Sequence, residues 1–141
     1  MTRFASFAAG RFEEILPDPT APKNARRVIL CSGKVYFDLA DHRKAQKLDD
    51  TAIIRIEQLY PLHEKKLQAT VAACGNAEKI IWCQEESANM GAWPTLEPRL
   101  RKLFGGDIAY AGRDASSSTA TGSHAIHELE QRQLVGQAFS L

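Results

Sequence analysis

Val28-Ile29-Leu30-Cys31-Ser32-Gly33-Lys34-Val35-Tyr36 joins an unbroken apolar run to a glycine and then to the start of an amphipathic stretch. A short apolar run without polar alternation suits a strand covered on both faces, as in the parallel sheets of α/β proteins. Beyond Gly33, the residues Val35, Tyr36, Leu39 and Ala40 fall at helical spacing, with Asp38, Asp41, Arg43 and Lys44 opposite them. Residues 35–47 are therefore expected to form a helix laid against such a sheet. Asp49-Asp50 breaks it.

The same grammar repeats downstream. Residues 51–59 carry Ile53, Ile54 and Ile56 and read as a second strand. Pro61 opens a helix with Leu67, Val71 and Cys74 on one face, closed by Gly75-Asn76 in the position of a C-cap. A third strand is expected over 78–84, carrying Ile80, Ile81 and Trp82, followed by a loop through Trp93. Residues 94–104 read as a helix, with Pro94 in its first turn and Gly105-Gly106 past its end. Residues 107–111 make a fourth, shorter strand. A Ser/Thr-rich stretch at 115–121 then leads to a last helix over 123–139, with Ile126, Leu129, Leu134 and Ala138 on its apolar side. Four strand–helix alternations define an α/β fold: a three-layer sandwich around a mostly parallel sheet of four to five strands with right-handed crossovers.

Residues 1–27 read differently. Residues 12–16 could make one strand or turn, but Pro17, Pro19 and Pro22, with Asp18 and Asn24, oppose regular structure. The expected organisation is a lead-in linker over 1–27 and one α/β domain over 28–141.

A chain of 141 residues with 44% hydrophobic and 25% charged residues can bury one real core without staples. The net charge of +1 calls for neither a nucleic-acid nor a membrane partner. The first ten residues carry one arginine and a brief apolar run. That is too short, and too soon followed by Glu13 and Glu14, for a secretory signal, so the cytoplasm is the expected location. Cys31, Cys74 and Cys83 are odd in number and share no C-x-x-C spacing; reduced core thiols are expected rather than a disulfide or a zinc site.

Several residues invite chemistry. Ser32-Gly33-Lys34 follows a strand and opens a helix, but a phosphate loop needs a glycine where Val28 stands and a Ser or Thr where Val35 stands. A tight turn is the expected role of Gly33, with a weak anion nest as the alternative. His124 and His127 sit three apart on a helix without a third metal ligand, and His42 and His63 are expected at the surface. Glu85 and Glu86 emerge at the carboxyl end of the third strand, where open α/β sheets place their sites. Asn89, Met90, Gly91 and Trp93 follow them in a loop with an exposed aromatic, a composition more typical of a contact surface than of a catalytic centre. Lys65 and Lys66, with Gln58 nearby, form a small basic patch suited to a solvated face or to an anionic ligand. No serine lies in a G-x-S-x-G turn, and no Cys/His pair stands out.

Five blocks resemble one family: Val28-Ile29-Leu30-Cys31-Ser32-Gly33-Lys34-Val35-Tyr36, Ile54-Arg55-Ile56-Glu57-Gln58-Leu59-Tyr60-Pro61, Trp82-Cys83-Gln84-Glu85-Glu86, Asn89-Met90-Gly91-Ala92-Trp93 and Ala120-Thr121-Gly122-Ser123. They are similar, in order and spacing, to the carboxy-terminal domain of 2-oxoglutarate dehydrogenase first components. Gly10-Arg11-Phe12-Glu13-Glu14-Ile15-Leu16 resembles the family's join to the preceding pyrimidine-binding domain. Asp114, after Gly112-Arg113, departs from the family's usual proline. The resemblance implies a transketolase C-terminal-like fold and a homodimeric parent enzyme. That parent decarboxylates 2-oxoglutarate on thiamine diphosphate and Mg2+ and passes the succinyl unit to the lipoyl group of a succinyltransferase component. It further implies that cofactor, metal ligands and catalytic histidines belong to upstream domains, so no catalytic, cofactor-binding or metal residue carries over to this chain, which alone is expected to be inactive. Lys65-Lys66 and Gln58 match positions where some actinobacterial members contact an acyl-CoA effector. The alternative expectation is a stand-alone module sensing an acyl-CoA or a nucleotide.

Overall fold

The computed structural model describes residues 11–118 and 122–141. Five strands form one sheet in the order β1-β3-β2-β4-β5: β1 (Ile15–Leu16), β2 (Arg27–Cys31), β3 (Thr51–Ile56), β4 (Lys79–Ser87) and β5 (Ala109–Arg113). β2 lies between β3 and β4 and is parallel to both, with Leu30 level with Ile54 on one side and with Trp82 on the other. β5 continues the parallel order, and β1 is antiparallel at the far edge. Among the described residues there are four helices, α1 (Val35–Ala45), α2 (Glu64–Ala72), α3 (Trp93–Phe104) and α4 (His124–Ser140).

Alternation along each strand divides the core in two. Val28, Leu30, Ala52, Ile54 and Trp82 face α2 and α3, where Leu67, Val71, Leu96 and Leu100 cover them. Ile29, Cys31, Ile53, Ile81 and Cys83 face α1 and α4, where Val35, Leu39, Leu134 and Ala138 cover them. Both faces of the sheet are thus buried, which is why the strands read as apolar runs. Each fully buried aliphatic side chain contributes about 1.5–3 kcal/mol, so the expected three-layer α/β sandwich is present and has an ample driving force.

Several boundaries differ from expectation. β3 ends at Ile56, and residues 57–59 leave the sheet. β4 runs on to Ser87 through a register shift between Cys83 and Ser87, and β5 starts later, at Ala109. α2 begins at Glu64 because the His63 ring nitrogen accepts the Lys66 N–H (3.2 Å), an N-cap that Pro61 does not supply. On α4, Ile126 and Leu129 are 51% and 50% exposed, since the helix docks through Leu134, Val135, Ala138 and Phe139. His42 is not a lone surface residue; its ring stacks on Phe139 at 5.1 Å.

Residues 11–27 also carry structure. Ile15 is fully buried and pairs with Ile56. Asp18, just beyond, accepts from the buried Arg43 guanidinium of α1, from the Ile53 N–H of β3 (2.8 Å) and from the Thr20 N–H (3.0 Å). The prolines do prevent strand or helix over 17–24, yet the segment is anchored by one carboxylate.

All three cysteines are free and buried. Burial pushes the Cys31 and Cys74 thiols upward, and pushes Cys83 up to about 12. An acid whose folded pKa is raised stabilises the fold fully below its unfolded pKa, and that stability is lost as pH rises through the folded value. The urea midpoint is therefore expected to hold constant between about pH 7 and 8.5, the ordinary thiol range, and to fall steadily at higher pH. Thiol reagents should leave native protein unlabelled at pH 8; prompt labelling of three thiols would contradict this core. Among the described residues, no helix is long and apolar enough to cross a membrane.

Candidate interface site at the carboxyl edge of the sheet

The chain leaves β2 and β4 toward opposite faces, into α1 and α3, so a crevice opens between their carboxyl ends. In open α/β sheets this is where ligands usually bind. Here the crevice is spanned by the protein's own groups. Gly33 turns the chain after β2 with φ +74°, a left-handed conformation that glycine adopts without cost. Gly33 thus makes the expected tight turn, and its N–H faces the Glu57 carboxylate at 3.4 Å, so an internal carboxylate already occupies the place of the alternative anion nest. Lys34 then reaches across to Glu85 of β4 (2.5 Å), and Gln131 of α4 joins Glu85 to Asp38 of α1 (2.9 Å to each). The Lys34 side chain is largely exposed, so the pair is screened and contributes little energy. Its consequence is geometric: Glu85 is held and turned inward.

Arg113 braces the other side. Its guanidinium donates to Glu130 of α4 (2.8 Å), to the Glu85 carbonyl and to Gln131 (3.4 Å), with His127 Nδ1 at 3.2 Å. Against an arginine donor, Nδ1 serves as the acceptor, which places the neutral ring's proton on Nε2. His127 therefore belongs to this brace, while His124 turns to Glu128 (3.1 Å) at the surface. The two histidines do not converge.

The loop residues expected to form a contact surface are organised from beneath by Gln84. Its amide oxygen accepts from Trp82 Nε1 (2.9 Å) and from the Trp93 N–H (3.0 Å), and its amide nitrogen donates toward the carbonyls of Ser87 and Met90. Asn89 is exposed but clasps the Ser116 backbone with both amide atoms, each at 2.9 Å. Gly91 has φ +65°, and a Cβ there would lie 3.1 Å from Glu86 Cβ, so glycine is required twice over. Trp93 is half-buried rather than exposed at a tip: it opens α3 and stacks against Tyr110 at 5.2 Å. The Tyr110 hydroxyl donates to the Arg113 carbonyl (2.9 Å), and burial pushes its pKa up to about 12. Glu86 is the exposed acid of the pair, next to an open cleft of about 690 Å3 lined by Arg113, Asp114, Ser116 and Glu130.

The basic patch is not assembled as a free cationic site. Lys66 sits between Glu13 (3.0 Å) and Glu14 (2.9 Å); its hydrogen bonds to them, Glu14 first, hold its pKa above the usual lysine value, and the Glu14 carboxyl is lowered in return. Gln58 donates to the Pro61 carbonyl (2.8 Å), and Lys65 is exposed. An anionic ligand would have to displace two carboxylates from Lys66.

No group of three or more His, Cys, Asp or Glu residues converges to hold a metal ion among the described residues. Their buried side-chain polar atoms are all hydrogen-bonded, so no orphaned group points to a bound diphosphate. The described residues do not fit a thiamine diphosphate–Mg2+ site. Gln84, Arg113, Tyr110 and Gly112, which build the edge, were not among the expected site residues; a glutamine inside the apolar run of β4 was the available signal.

The fold is a doubly wound α/β domain whose carboxyl edge is closed by its own side chains. A family model described as 2-oxoglutarate dehydrogenase C-terminal matches residues 1–139, and the chain belongs to that family. It is 41% identical over 141 residues to the 2-oxoglutarate dehydrogenase E1 component of Azotobacter vinelandii, covering 95% of this chain and 15% of that protein. It is 40% identical to a probable 2-oxoadipate dehydrogenase complex component E1 homolog of Dictyostelium discoideum, over 92% of this chain and 15% of that protein. The chain thus spans about 15% of the length of such relatives. A solved structure titled split gene transketolase, inactive beta4 tetramer, superposes with a TM-score of 0.63 at 14% identity, covering 92% of this chain and 42% of that one; this shows the shared fold. The segments of the quoted blocks at Gly10 and at 120–121 lie outside the described residues.

Proposed function

We propose that this chain serves as the carboxy-terminal assembly domain of a thiamine-dependent 2-oxoglutarate dehydrogenase. In that enzyme the upstream domains hold thiamine diphosphate and Mg2+ and decarboxylate 2-oxoglutarate. The succinyl unit then passes to the lipoyl group of a succinyltransferase component. The domain packs against the upstream domains and helps build a cytoplasmic homodimer. The match over residues 1–139 carries this reading. It is supported by the carboxyl edge, where Glu85 bonds Lys34 and Gln131, Arg113 bonds the Glu85 carbonyl and His127, and Gln84 bonds its own loop, rather than any of them being left to face a reacting atom. When bound, the cofactor supplies the carbanion chemistry, and protein parts of this kind contribute positioning.

The test is a graft. Residues 1–141 replace the matching region of the Azotobacter vinelandii component, and 2-oxoglutarate-dependent ferricyanide reduction is followed. The graft should retain activity within about tenfold of the parent, a barrier difference of about 1.4 kcal/mol. The 141-residue chain alone should show none. A well-folded graft no more active than the parent lacking the region would refute the reading.

A further inference from the structure

Lys66 lies in the first turn of α2, the end of a helix where the dipole disfavours a cation. Two carboxylates from the lead-in hold it there: Nζ donates to Glu13 (3.0 Å) and to Glu14 (2.9 Å). Side chains of consecutive residues in an extended chain point to opposite sides. For both acids to reach one ammonium the chain must fold around it, and it does bend at Glu14. The backbone fastens the same residue, since the Glu14 carbonyl accepts the Glu57 and Gln58 N–H groups (2.9 and 3.1 Å) where β3 leaves the sheet. Arg11 adds a fourth charge, 3.3 Å from Glu13, so signs alternate along Arg11, Glu13, Lys66 and Glu14. Attachment does not require this network. Ile15, fully buried, and Asp18, bonded to Arg43, already tie the lead-in to the domain. The network acts ahead of both anchors in the chain, where what it can set is direction.

We infer that Lys66 is a positioning residue: by gathering Glu13 and Glu14 it fixes the direction in which residues 11–14 join the domain, and through that join the seating of the upstream domains. The inference rests on the assembly reading above. It gives Lys66 no part in the chemical step. Because the Lys66 side chain is 32% exposed, the hold is open to screening by salt.

The test compares Lys66→Met and Lys66→Arg with wild type, in the 141-residue chain and in the graft. Methionine keeps most of the stem and removes the charge; arginine keeps the charge. In the chain, Lys66→Met should speed hydrogen exchange at the Glu57 and Gln58 amides, which donate to Glu14, about fivefold, while those of Ile29 and Ile53 keep their rates. The melting temperature should fall by no more than about 4 °C, as for an exposed ion pair. At about 1 M salt the screening length shrinks to about 3 Å, and wild type should then exchange at the variant's rate. Lys66→Arg should stay near wild type throughout. In the graft, Lys66→Met should lower kcat about tenfold, as expected when a remote change misplaces reacting groups. KM for 2-oxoglutarate should not change, and Lys66→Arg should keep the wild-type rate. Unchanged exchange at Glu57 and Gln58, a loosened bend with kcat intact, or equal damage from arginine and methionine would overturn the inference. If the wild-type graft is folded but inactive, the assembly reading fails and the seating role falls with it, while exchange in the chain still decides whether Lys66 sets the bend.

Discussion

Asp18→Ala is expected to cost about 3–5 kcal/mol of folding stability, the usual penalty for breaking a buried ion pair from one side. The Asp18 side chain is fully buried and the Arg43 side chain is 10% exposed. Without the carboxylate, a guanidinium stays buried against two neutral acceptors, the Thr51 carbonyl (3.0 Å) and the Thr20 hydroxyl (2.6 Å), with no counter-charge, and the Ile53 N–H loses its acceptor. Domains of this size are stabilised by about 5–15 kcal/mol in total, so the variant should unfold on the order of 10–20 °C lower. Replacing both partners, as in Asp18→Leu with Arg43→Met, should recover part of the loss, because it removes the stranded charge as well as the attraction. Circular-dichroism melting of the three proteins measures both quantities. A single variant within about 1 kcal/mol of wild type would mean that water reaches Arg43 and that the segment around Asp18 is a loosely attached strap.

That same pair marks where sequence reading stops. The sheet was legible because each central strand is buried on both faces, and burial on both faces writes itself as an apolar run: 28–32, 51–56 and 79–83 could hardly be anything else. The layers follow from alternation and crossover handedness, whereas the strand order β1-β3-β2-β4-β5 was not read from the sequence. Partnerships between distant polar residues leave no such periodic trace. Arg43 sits on the charged side of its helix by spacing, and Asp18 sits among prolines; their separation of 25 residues hides that they meet. The exposed Ile126 and Leu129 show the same limit from the other direction, since helical spacing identifies an apolar side without revealing how far along the helix the sheet extends. At the candidate site, Glu85 and the 89–93 loop were legible from their position after an apolar strand. Lys34, Arg113 and Gln131 close around Glu85 from three other elements, which spacing along the chain cannot report.

Gly112→Ala carries the second large effect, about 3 kcal/mol, and tests whether the edge is a rigid unit. A Cβ at 112 would fall 2.4 Å from the Tyr110 hydroxyl oxygen, 2.7 Å from Tyr110 Cζ and 2.9 Å from the Gln84 carbonyl. The backbone carbonyl belongs to β4 and cannot swing aside, so Tyr110 must move. Overpacking of this kind costs about 1–3 kcal/mol. Displacing the Tyr110 hydroxyl also gives up the one proton it donates between the Arg113 carbonyl (2.9 Å) and the Glu86 carbonyl (3.2 Å), at about 1 kcal/mol. Tyr110→Phe alone loses that hydrogen bond without the clash and should cost less. Because both changes act on one hydroxyl, the double variant should be less destabilised than the sum of the singles, by about 1 kcal/mol. Denaturant titration of the four proteins closes the cycle. Strict additivity would show that the strain is absorbed by the backbone between β4 and β5, in which case the segment that Gln84 holds would shift too, and the Trp93–Tyr110 contact should weaken in the same variant.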